Sequence, residues 1–139
     1  MQSILADTGP LVALLLKRDP HHRATVQWMV GNAHRLLSTW PVITEACHFL
    51  GLSGKLALFE LVERGALVVA DIAAGDLKTV AKIMSTYADR EVDLADASLV
   101  MLAERTGVTG IITIDRNDFS TYRLSRGRVF NIIFPPEKR

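Results

Sequence analysis

"SILADTGPLVAL", residues 3–14, decides how the rest of the chain is read. An apolar run ends on Asp7, Thr8-Gly9-Pro10 breaks the pattern, and a second apolar run follows. Residues 2–6 have the length and continuity of a short buried strand. Thr8 as an N-cap and Pro10 within a first turn supply helix-start chemistry, which predicts a helix over 10–17 that stops near "KRDP". A strand that ends on a carboxylate poses a problem, because an unpaired buried Asp is costly. The remaining sequence must either neutralise Asp7 or use it.

The same alternation continues outward from this stretch. A helix is predicted from Asp19-Pro20 to about Gly31, a strand over 34–39 ("HRLLST"), helices over 41–51 and 54–65, and a strand over 66–72. Leu77, Val80, Ile83, Met84 and Tyr87 give 75–88 helical spacing, and "LADASLVMLAERTG" (94–107) reads as a helix closed by Gly107. "GIITID" (110–115) and "RVFNIIF" (128–134) complete five strands. The fourth is β-branched and unbroken, as buried parallel strands are. Strands alternating with helices imply an α/β fold on a parallel sheet. With no repeat, low-complexity tract or linker, residues 1–139 are expected to form one domain.

Composition narrows the function. Half the residues are apolar, as in a compact folded domain, and a net charge of +1 argues against a generally polycationic nucleic-acid binder. The charge is uneven, with 10 Lys/Arg against 13 Asp/Glu through residue 115 and 6 against 2 from residue 116 on. A solvated basic edge is one reading of Arg116, Arg123, Arg126 and Arg128; a phosphate-binding patch is the other. The single cysteine, Cys47, permits no internal disulfide and fits a reducing cytoplasm. The start has no basic n-region, and "LVALLL" is too short to span a bilayer, so neither a signal peptide nor a membrane anchor is expected.

Asp7 has company. Asp115 also follows a buried-looking strand, and in open parallel sheets ligands bind beyond the C-terminal strand ends. Glu45 stands in otherwise apolar helical sequence. Asp93 and Asp96 share a helix face at i and i+3, and that helix starts at the same rim because it feeds the strand before Asp115. Each has an ordinary explanation when taken singly: a macrodipole partner for Asp7, a cap pair for Asp93 and Asp96, a salt bridge for Glu45, a turn for Asp115. Packed together they would repel and their pKa values would rise. A divalent cation resolves that conflict; Mg²⁺ and Mn²⁺ take oxygen ligands and suit phosphodiester hydrolysis.

These residues resemble the PIN domain family, and within it the single-domain toxins of the VapC type, nearly end to end. "ILADTGPLVALL" is similar to the family's opening strand, acidic residue and hydroxyl turn. "WPVITEACHFL", "DLADASLVMLAE" and "GIITIDRNDF" are similar to its second, third and fourth motifs. The resemblance implies a three-layer α/β/α fold with a mostly parallel central sheet of about five strands. It implies a metal-dependent endoribonuclease in which Asp7, Glu45, Asp96 and Asp115 hold Mg²⁺ or Mn²⁺. Asp93, Thr8, Thr113 and Asp118 would be auxiliary. It further implies an RNA substrate, a homodimer, and a VapB-like antitoxin that inserts an Arg or other side chain into the acidic site. A PIN nuclease of RNA maturation and a non-catalytic PIN-like binding module are the alternatives within the family. Other phosphoryl-handling folds fit less well: a receiver domain needs an acidic pair after its first strand and a strand-terminal Lys, and a dehalogenase-type phosphatase needs D-x-D where this chain has "DTG". His21-His22 reads as a surface pair, His48 as packed or partly exposed, and Trp28 and Trp40 as core or interface packing in preference to stacking on bases.

Overall fold

The computed structural model describes residues 2–31, 34–114 and 116–133. Asp115 lies outside the described residues, as does the side chain of Arg116. Five strands form one sheet: β1 (Gln2–Ala6), β2 (His34–Thr39), β3 (Leu67–Ala70), β4 (Gly110–Ile112) and β5 (Asn131–Ile133). Their order is β3-β2-β1-β4-β5 and every pairing is parallel. The chain lays down β2 and β3 to one side of β1, then crosses back to add β4 and β5 on the other. Ligands bind at such a reversal, beyond the carboxyl ends of the two strands flanking it. Here those strands are β1 and β4, with Ala6 opposite Ile112.

Helices α1 (Thr8–Leu15), α2 (His22–Gly31), α3 (Trp40–Phe49) and α4 (Leu52–Glu63) connect the first three strands. Helices α5 (Leu77–Thr86) and α6 (Leu94–Thr106) connect β3 to β4. Because parallel crossovers are right-handed, reversing the direction of travel across the sheet sends α5–α6 to the opposite face from α1–α4. The result is three layers around a core that includes Leu5, Leu36, Leu58, Leu99, Ile111 and Ile112. Gly107 ends α6 in the left-handed region at φ 76°, where its N–H reaches the Ala103 carbonyl.

Several boundaries differ from expectation for local reasons. The first helix starts at Thr8 rather than residue 10, because Asp7 and not Thr8 is the N-cap; its Oδ1 accepts the Thr8 N–H at 2.8 Å. The helix expected over 75–88 is α5 flanked by single 3₁₀ turns at Ala74–Asp76 and Ala88–Arg90. The fourth strand, expected over 110–115, ends at Ile112, and a short helix that the sequence had not signalled, α7 (Arg116–Thr121), follows. The last strand begins at Asn131, because Arg128–Phe130 carries an isolated antiparallel bridge, Arg123 with Val129, instead of a ladder.

A buried polar layer ties the strand ends to α6. The Ser38 hydroxyl donates to the Ala6 carbonyl (2.8 Å), and the Thr39 and Ser98 hydroxyls meet at 2.6 Å. Thr39 occupies the N-cap of α3 but makes no capping bond, since its side chain is committed to Ser98. Ser98 spends its proton on the Ala95 carbonyl (2.7 Å), so Thr39 is the donor between the two. Removing the acceptor strands a buried O–H, whereas removing the donor does not. Urea unfolding of Ser98→Ala should therefore show a loss of about 1–3 kcal/mol. Thr39→Val should lose less, and the double variant less than the sum of both.

Candidate active site

Asp7 sits where β1 ends, only 8% exposed. Its backbone N–H bonds the Ile112 carbonyl at 3.1 Å, which continues the β1–β4 ladder by one residue. One carboxylate oxygen caps α1 through Thr8 N–H, and the other accepts the Thr113 hydroxyl at 2.9 Å. Thr113 is fully buried just beyond β4. The two strands at the reversal thus hold one carboxylate between them. Gly9 allows this closeness, since a Cβ there would stand 3.2 Å from the Ile114 side chain.

Asp96 comes to the same place from the first turn of α6. Asp93 is the N-cap of that helix, and its Oδ1 accepts the Asp96 N–H at 2.8 Å, so Asp93 fixes the turn that aims Asp96. Burial pushes the Asp96 pKa up to about 8, with further upward pressure from Asp7, Asp93 and Asp118. The Tyr122 hydroxyl opposes the shift by donating to Asp96 Oδ2 at 3.0 Å. Glu45, on α3, is also raised, first by burial and then by Asp93; the Thr8 hydroxyl and His48 pull it back. Electrostatic coupling therefore runs from Glu45 through Asp93 and Asp96 to Asp7.

The Thr8 hydroxyl is 94% buried and makes no hydrogen bond, although it lies near enough to Glu45 to favour the ionised carboxylate. Asp118, on α7, lies 3.5 Å from Arg90 in a half-exposed ion pair. Among the described residues, no three carboxylate, imidazole or thiol groups converge closely enough to share one ion. What the described residues bring together is the Asp7–Asp96 pair and the coupled groups behind it.

The basic patch is divided. Arg123 donates to the Ser120, Thr121 and Tyr122 carbonyls and so closes the end of α7. Arg128 bonds the Ser125 carbonyl and hydroxyl. Arg126 is exposed, on backbone at φ 61°.

Tyr122 is the residue that sequence reasoning missed. It is 1% exposed and packs edge-on against Tyr87 and Phe119, which in turn meets Phe130. Burial and the neighbouring Asp96 raise its pKa, so it remains a hydrogen-bond donor. The spacing of Tyr122 from Phe119, the last residue of the fourth motif, at i and i+3 was the available signal.

The Asp96 shift sets a pH dependence. A carboxyl raised in the folded state binds more protons folded than unfolded between the two pKa values, so it lowers stability as pH rises. In metal-free protein, Asp96→Asn should match wild type in melting temperature near pH 4. It should then become progressively more stable than wild type from pH 4 to 8. Thermal melts in EDTA across that range check this.

Comparison with known proteins matches residues 4–124 to the PIN domain. The chain is 29% identical over 134 residues to Ribonuclease VapC26 of Mycobacterium tuberculosis, covering 94% of this chain and 99% of that protein. Among solved structures, it is similar to VapC20 of Mycobacterium tuberculosis, a sarcin–ricin loop cleaving toxin. That match has a TM-score of 0.74 and 17% identity, over 82% of this chain and 91% of the other. It is also similar to a chain of a toxin–antitoxin complex from Klebsiella pneumoniae, with a TM-score of 0.64 and 16% identity over 97% and 99% of the two chains. The end-to-end sequence match and the shared parallel sheet agree: the chain belongs to the PIN domain family.

Proposed function

We propose that the protein is an endoribonuclease of the VapC type, the toxin of a toxin–antitoxin pair, hydrolysing RNA phosphodiester bonds at the Asp7–Asp96 rim. The observation that carries this reading is the forced proximity of two carboxylates at the strand reversal, with Asp96 raised to about 8 by burial and by Asp7. Family membership and the ribonuclease and toxin relatives support the same reading.

The residues fit a divalent cation, Mg²⁺ or Mn²⁺. Two repelling carboxylates beside a buried hydroxyl with no partner, Thr8, form an oxygen-rich donor set of the kind hard cations take. Asp7 and Asp96 would hold it directly, Asp115 would join them as the resemblance implies, and Glu45 would act through a bridging water. When bound, it supplies Lewis acidity towards the phosphate and lowers the pKa of an attacking water. The chain's own contributions are orientation and charge. Thr113 and the Thr8 N–H pin Asp7, Asp93 sets the first turn of α6, and Tyr122 holds the Asp96 carboxylate in one rotamer. Arg126, with Arg116, would meet the RNA backbone, while Arg123 and Arg128 act on local carbonyls first.

Two partners belong to this reading. An antitoxin presenting a cationic side chain would neutralise the acidic rim. The toxin–antitoxin complex among the structural neighbours is consistent with such a partner. A second copy of the chain would cover apolar side chains that α4 exposes, Leu52, Leu56 and Phe59. A cytoplasmic location suits both, and no helix among the described residues is long and apolar enough to cross a membrane.

A labelled panel of total RNA and tRNA, incubated with Mg²⁺, Mn²⁺ or EDTA, tests the function. Cleavage should require metal and disappear in folded Asp7→Asn and Asp96→Asn. No cleavage with any metal by a folded wild-type protein would refute it on that panel. Tyr122→Phe should cut more slowly by about 10- to 100-fold, the usual cost of removing a group that orients a metal ligand. Raising the metal concentration should recover part of that loss.

A further inference from the structure

Trp40 stands apart from the other tryptophan. Trp28 stacks on His34 at 5.2 Å and packs against the core, as expected from the sequence. Trp40 is 45% exposed, which rules out the core half of the expected core-or-interface role. It is the first residue of α3, directly after β2 delivers the chain to the functional rim, and Pro41 fixes the turn that follows. Its indole N–H donates to Asp71 Oδ1 at 2.9 Å, so the ring is held rather than free to rotate. The ring forms a wall of an open groove of about 750 Å³. Glu45, Asp93 and His48 line that groove as well, so it borders Asp93, the N-cap that sets the turn carrying Asp96.

The groove's chemistry selects its occupant. Ile72, Leu77 and Leu94 supply apolar surface, and the polar lining is mostly acceptors: Asp71, Glu45 and Asp93. A phosphate would be repelled there. A nucleobase offers a flat π-face for the indole and N–H donors at its edge for the carboxylates. A base paired in a duplex presents neither, so the occupant must be unpaired.

We propose that this groove is a nucleobase subsite, in which one unpaired base of the RNA stacks on Trp40 next to the bond to be cut. Asp71 is its positioning residue, acting through the indole N–H. Trp40 thereby gives the enzyme a preference for looped or single-stranded RNA. The inference rests on the ribonuclease reading and deepens it.

The test uses the full chain with Trp28→Phe, which leaves Trp40 as the only indole, and with Asp7→Asn to block turnover. A single-stranded RNA oligomer is titrated against an abasic oligomer of the same length, and Trp40 fluorescence is followed. Saturable quenching by the base-bearing oligomer alone is expected. Read by anisotropy of a labelled oligomer, Trp40→Ala should weaken binding by about 5- to 150-fold, corresponding to the roughly 1–3 kcal/mol of one base–aromatic stack. Trp40→Phe should restore most of the affinity. With Asp7 intact, Trp40→Ala should raise KM for a single-stranded substrate rather than lower kcat. Equal quenching by both oligomers, or unchanged affinity in Trp40→Ala, would overturn the proposal. So would a Trp40→Ala effect confined to oligomeric state or antitoxin binding. Failure of the subsite leaves wild-type cleavage intact, whereas absent cleavage with base-dependent quenching retained would remove the nuclease reading and keep the subsite.

Discussion

The structure turns on one uncomfortable juxtaposition: the Asp7 carboxylate, almost wholly buried at the end of the first strand, within electrostatic reach of Asp96. A fold selected for stability alone would not place two acids there, because burial and like charge both work against ionisation. The surroundings bear that cost. Each Asp7 oxygen accepts a hydrogen bond, one from Thr8 and one from Thr113, and Asp96 accepts from Tyr122. The residual conflict appears as a carboxyl raised to about 8. Raised groups of this kind cluster at functional sites.

The supporting residues are arranged from the sheet outward. The strand reversal after β1 creates the crevice, and β4 supplies Thr113 opposite Asp7. Helix α6 is buried along most of its length and anchored to β2 through Thr39 and Ser98, so its first turn cannot drift from the rim. Helix α3 brings Glu45 and Trp40 from the same strand end. The acidic rim and the Trp40 groove therefore share a foundation, and side chains from separate segments act as one surface.

Much of this was legible in the sequence, because it depends on signals that short range preserves. The five strands, the parallel sheet and the position of Asp7 follow from apolar runs ending on polar residues. The α6 stop follows from Gly107. Other features depend on distant partners. Which residue caps α1 depended on how the Asp7 carboxylate was shared, and Thr113 lies 106 residues away. Tyr122 looked like one aromatic in a basic tail, since nothing local reveals that its hydroxyl reaches Asp96. Arg123 looked free for phosphate, yet it closes the end of its own helix. Core or interface packing was preferred to base stacking for Trp40 because a tryptophan beside apolar sequence usually is packed; only the fold shows it exposed. Asp115 has its sequence argument alone, lying outside the described residues.

The long span between Asp7 and its partners has a consequence for synthesis. The chain emerges from the ribosome with Asp7 early, while Thr113 follows 106 residues later. Before β4 docks, β1 can pair only with β2, and Asp7 has only its cap to the neighbouring Thr8 N–H. The acidic rim is therefore set late in folding: Asp7 gains its second anchor only in the step that adds β4 to the sheet.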